Sequence, residues 1–168
     1  AIFLPMIYIV SSFRTLLRDR FSQVDIEKNI LLIRWGIIIL CLTRLIGWRL
    51  YYHPTIVESY SRSIFDAISM WEMGLNIVSI AGLLLAAVGF MLIGEQTLRL
   101  HENLYGLLKP LGVSIIVCGA GFAVYGLCSL VGQANICIFA EMLAAMAGII
   151  ATFVWSFIFW RERQMQIA

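Results

Sequence analysis

Two arginines, Arg34 and Arg44, close the ends of "RWGIIILCLTR", with nine uncharged residues between them. A run this apolar belongs in a bilayer, where a central arginine costs about 2.5–3.5 kcal/mol on insertion scales and so needs a route to water or a partner. At 1.5 Å per helical residue the two lie about 15 Å apart in a hydrocarbon core about 30 Å thick. Each can therefore snorkel to its nearer headgroup layer without doing chemistry. Arg44 has a further possibility. Counting depth along alternating spans places Glu141, Glu72, Asn76, Gln133 and Asn135 in the same leaflet. One cation, two carboxylates and three amides at one level can bind a ligand headgroup, pass a proton, or hold helices in register. Arginine keeps its charge, which makes it the natural counter-ion for a carboxylate. Glu141 has the least reason to lie inside a span and is the first residue to mutate.

Other chemistry is weakly supported. His53 and His101 fall on opposite sides of the expected topology, and neither lies deep in a span, so they do not form a haem ligand pair. No H-E-x-x-H, Walker loop or G-x-S-x-G elbow occurs. The reading is therefore non-enzymatic, with no metal and no cofactor. Cys41, Cys118, Cys128 and Cys137 lack C-x-x-C spacing and read as small apolar residues within or at the edges of spans.

The elements that must position these groups follow from composition. Of 168 residues, 61% are hydrophobic and 13% charged, and the mean hydropathy is +0.91. Soluble domains carry about a quarter charged residues, so the chain is expected to be integral to a membrane. Met73–Gly94, Leu111–Ala140 and Met142–Trp160 contain no Asp, Glu, Lys or Arg. The second is too long for one crossing, and "VGQANI" (131–136) supplies a turn near its end. The expectation is a single all-α domain over 1–168, a polytopic transmembrane bundle of about five spans. They fall near 1–13, 30–50, 71–94, 111–131 and 136–160, the first one reading as the tail of a span. The chain begins with Ala inside an apolar pattern; with no basic n-region or clear cleavage site, a secretory signal is a poor explanation.

Two connectors have character. In 53–72, Thr55 and Glu58 fit a capping box. After them Val57, Tyr60, Ile64, Ile68 and Trp71 recur at helical spacing, which gives an amphipathic outer connector that lies at the interface or leads straight into the next span. The segment 95–110 is expected to start helical and break near Gly106 and Pro110. Small residues organise the rest. Gly112, Gly119 and Gly126 recur every seven residues; Ala140, Ala144, Ala147 and Ala151 form a second stripe, and Gly74, Ala81, Gly82 and Gly89 a third. Such stripes let backbones approach in lipid, so the last three spans are expected to pack tightly.

Eight of the twelve basic residues fall on one side of this topology: Arg14, Arg18, Arg20, Lys28, Arg99, Lys109, Arg161 and Arg163. By the positive-inside rule that side, with the C-terminus, is cytoplasmic, in a membrane of the bacterial inner type. Among functions, the leading expectation is a sensory or coupling bundle that passes a signal to a cytoplasmic C-terminal extension. An accessory subunit of a larger membrane complex is the main alternative, and a small transporter or proton pathway the third. Expected partners are the lipid bilayer and other transmembrane helices or subunits, with a small-molecule ligand of unknown identity and no nucleic acid.

Overall fold

The computed structural model describes residues 27–51, 62–99 and 106–167, which form four helices and no strand. They are α1 (Glu27–Tyr51), α2 (Arg62–Arg99), α3 (Leu108–Val131) and α4 (Ala134–Ile167). Within them Glu27–Gly47, Trp71–Arg99, Leu108–Val131 and Asn135–Arg161 are each long and apolar enough to cross a bilayer. The described residues thus hold four spans where about five are expected. The remaining one, 1–13, lies outside the described residues, as do Thr55, Glu58, His53 and His101.

Hydrocarbon offers no water to the backbone, so these apolar runs satisfy their peptide groups internally as helices. The breaks fall where glycine permits them. Gly106 and Gly132 both sit at φ 74°, a region that side chains disfavour. Gly132 caps α3 in the left-handed conformation, the Gln133 N–H donates to the Cys128 carbonyl at 3.2 Å, and α4 begins at Ala134. Pro110 does not break the chain as expected. It is the third residue of α3, in the first turn, where an N–H has no helical acceptor and a proline costs little. α2 is continuous from Arg62 through 38 residues, about 57 Å at 1.5 Å per residue. From Arg62 onward, then, the connector leads directly into the span.

The helices pack antiparallel on their sequence neighbours, and the contacts are made at small residues. A Cβ on Gly36 would lie 2.5 Å from the Gly82 carbonyl oxygen and 2.6 Å from the Ala86 nitrogen, so α1 and α2 touch backbone to backbone. Gly94 and Gly112 do the same for α2 and α3: a Cβ on either would come within 2.9 Å of the other's carbonyl oxygen. Gly119 meets Ala87, and Gly121 meets Ala140 and Ala144 of α4. Ala147 and Ala151 are buried as well. The α2 stripe is only half used. Gly82 and Gly89 face α1, whereas Ala81 is exposed and Gly74 has nothing within 4 Å of a Cβ position. At about 100° per residue, Ala81 and Gly74 lie roughly a quarter-turn off the Gly82 line.

The core is concentrated at one end. Ile30, Ile33 and Ile37 of α1 join Ala86, Phe90 and Ile93 of α2, Leu108, Leu111 and Cys118 of α3, and Trp155 and Ile158 of α4. In an antiparallel bundle these positions share a level, and Lys28, Arg99, Lys109 and Arg161 mark it as the basic end. Outside, Phe139 and Phe153 are 70% and 73% exposed, a surface suited to lipid rather than water. Hydroxyls within the spans bond one turn back on their own helix: Thr97 Oγ1 donates to the Ile93 carbonyl at 2.8 Å, Ser114 Oγ to Pro110 at 2.8 Å and Thr152 Oγ1 to Gly148 at 2.8 Å. These hydroxyls add nothing between helices, where Cys137 Sγ of α4 donates to the Tyr125 carbonyl of α3 at 3.9 Å and the glycine contacts bring the backbones together.

Overpacking a tight contact costs about 1–3 kcal/mol. Gly94→Leu is expected to lower the thermal unfolding midpoint of the detergent-solubilised protein by several degrees, and Gly74→Leu to leave it unchanged. Equal effects from the two would contradict the backbone contact between Gly94 and Gly112.

Candidate functional site

The glycine contacts loosen along α3. At Gly112 and Gly119 a Cβ would meet α2 atoms at 2.8 and 2.7 Å, but at Gly126 the nearest atom, in Leu83, is 3.4 Å away. Across from Gly126 stand Ile80, Leu83 and Leu84, not small residues. α2 and α3 thus part toward the end that carries the α3–α4 turn, and a cavity of about 880 Å³ opens there.

All four helices line it, each with one face. α1 contributes Leu40, Cys41 and Arg44; α2 contributes Glu72, Asn76, Ser79, Ile80 and Leu83. From α3 come Cys118, Phe122, Tyr125 and Ser129, and from α4 Glu141, Ala144, Ala145 and Gly148. The residues of each set recur one, three or four apart, the pattern of a single helix face. The lining is also graded. Arg44, Glu72, Asn76, Ser129 and Glu141 lie toward the turn end, while Leu83, Cys118, Phe122 and Gly148 form the apolar floor. Eleven residues separate Glu72 from Leu83, and another eleven separate Ser129 from Cys118. The cavity is therefore about 16 Å deep at 1.5 Å per residue.

Four of the six residues expected at one level meet here: Arg44, Glu72, Asn76 and Glu141. Gln133 and Asn135 do not line the cavity and stand exposed at the turn and the start of α4. Arg44 makes no ion pair with Glu72 or Glu141 within 4 Å, and none of these side chains, nor that of Asn76, has a hydrogen-bond partner among the described residues. Among the described residues, the two carboxylates and one guanidinium leave a formal excess of one negative charge around the mouth, with three ions open to a visitor. Tyr125 and Ser129 were not anticipated. Their signal is the face formed with Cys118 and Phe122 at intervals of four, three and four residues. Arg34 lies away from this cavity, exposed beside Trp35 on the outside of α1. Among the described residues no group of three or more His, Cys, Asp or Glu side chains could hold a metal.

Comparison with protein-family models, curated proteins and solved structures finds no match. The class of the molecule is defined by its own geometry: a membrane-type helical bundle with an apolar cavity and a charged mouth.

A mouth of this kind admits water. In a background without the native cysteines, Asn76→Cys is expected to react readily with a charged, water-soluble thiol reagent, whereas Val88→Cys, on the outer apolar surface, is expected to resist it. Comparable labelling of both positions would argue against a hydrated mouth.

Proposed function

We propose that this protein is a non-enzymatic membrane sensor or coupling module that takes a ligand from the bilayer into the four-helix cavity and transmits the result along α4. The observation that carries the reading is the cavity itself, with Arg44, Glu72 and Glu141, which pair with nothing among the described residues, at one end of it. A second feature supplies the output. α4 forms the cavity wall at Glu141, Ala144, Ala145 and Gly148, then runs without interruption past Arg161 to Ile167. A helix is a stiff connection, so displacement at the wall is delivered to the basic end. The clustering of Lys28, Arg99, Lys109 and Arg161 at that end favours a cytoplasmic location for it, in a membrane of the bacterial inner type.

A second reading, an accessory subunit of a larger assembly, draws on the outer face of α4. Phe139, Met142, Met146, Ile149, Phe153, Phe157 and Trp160 are all exposed at spacings of three or four residues, a row suited to another helix. A through-path for protons or solutes has less support, because Ile33, Phe90, Trp155 and Ile158 close the basic half.

Spin labels at Arg99→Cys and Gln164→Cys test the sensor reading in nanodiscs. With a lysophospholipid bound, the distance between them is expected to shift by about 1–2 Å, the scale of helix movements in switching proteins, and the shift should vanish in the cavity-filling variant Ala145→Phe. An unchanged distance together with stoichiometric co-purification of another membrane protein would favour the subunit reading.

A further inference from the structure

We infer that the cavity holds a single hydrocarbon chain bearing a zwitterionic headgroup, with its anionic part on Arg44 and its cationic part between Glu72 and Glu141. This assignment rests on the cavity being the ligand site proposed above.

Depth speaks to the chain. The floor lies about 16 Å below the mouth, close to half of a hydrocarbon core about 30 Å thick, which is one leaflet. An occupant with its headgroup among the mouth residues thus places its tail at the floor near the bilayer midplane. Volume speaks to the number of chains. About 880 Å³ lies near the top of the range of about 300–1,000 Å³ for small-molecule pockets, the scale of one chain and its headgroup. The apolar floor, made by Leu83, Phe122 and Gly148, offers a chain no polar group to satisfy beyond Cys118.

Charge speaks to the headgroup. An anionic headgroup would satisfy Arg44 but face two carboxylates. An alkylammonium would satisfy the carboxylates and leave the guanidinium without a partner. A neutral headgroup would leave all three ions with only water as a partner. A phosphate or carboxylate joined to an ammonium group matches the set, because arginine binds planar or tetrahedral oxyanions with two parallel donors and each carboxylate accepts from an ammonium. Asn76, without a side-chain partner among the described residues, adds a donor and an acceptor at the same level. This chemistry has two sources: a bilayer phosphoethanolamine lipid that inserts one of its chains, or a free single-chain amphiphile.

Native mass spectrometry of the detergent-purified 168-residue chain can test the assignment with three probes of equal chain length: lysophosphoethanolamine, the anionic lysophosphoglycerol and the neutral monoacylglycerol. The zwitterionic probe is expected to bind about tenfold more tightly than either of the others. Arg44→Gln and Glu141→Gln should each erase most of that preference while chain binding persists, and Arg44→Lys should retain part of it. Circular dichroism of each variant confirms that the helices remain. Equal binding of the three probes, or a preference for the anionic one, with all binding lost in Ala145→Phe, overturns the headgroup assignment and leaves the cavity reading standing. Binding that is indifferent to Ala145→Phe overturns the cavity reading itself. Competition by diacyl phosphoethanolamine in nanodiscs supports insertion from the bilayer, and its failure beside tight lysolipid binding supports a free amphiphile; both agree with the assigned chemistry.

Discussion

Close approach of one helix backbone to another is the constraint on which this structure depends. Lipid tails are as apolar as leucine, so burial alone gives transmembrane helices little reason to associate, and cohesion must come from dispersion contacts at short range. The chain meets that need at Gly36 against Gly82, Gly94 against Gly112, Gly119 against Ala87 and Gly121 against Ala144. Where the sequence stops supplying small residues on facing surfaces, the helices separate. The cavity is thus a consequence of where the α2–α3 glycine contacts end.

Much of this was legible from the sequence, for identifiable reasons. The seven-residue recurrence of Gly112, Gly119 and Gly126 gives the α3 face directly, because seven residues are close to two turns. Gly36 was not legible in the same way: a single glycine in an apolar run has no period to announce its partner. Depth could be counted along the chain, and Arg44, Glu72, Asn76 and Glu141, which the count groups together, all line the same cavity. It could not give azimuth, so Gln133 and Asn135, at the right height, were grouped with a cavity they do not face. The information that separates them is the face pattern of each helix, in which Glu141, Ala144, Ala145 and Gly148 lie on one side of α4.

The polar groups of the bundle divide into two kinds. Thr97, Ser114 and Thr152 satisfy themselves within their own helices and add nothing to recognition. Arg44, Glu72 and Glu141 are not so satisfied among the described residues. Their position near the open end explains how the fold tolerates them. A fully buried ion pair often fails to recover its desolvation penalty, whereas charges at a wet opening keep much of their hydration. Leaving them apart also keeps each available to another molecule.

The pattern of tight and loose contacts divides the bundle mechanically. Gly36, Gly82 and Gly89 clamp α1 to α2, and Gly121 clamps α3 to α4, while the two pairs meet backbone to backbone at Gly94 and Gly112 and at Gly119 and Ala87. That arrangement resembles tongs with the pivot nearer one end. Squeezing the jaws around an occupant would rotate one pair against the other about the glycine pivot. The stub of α4 beyond Arg161, on the far side of the pivot, would swing the opposite way.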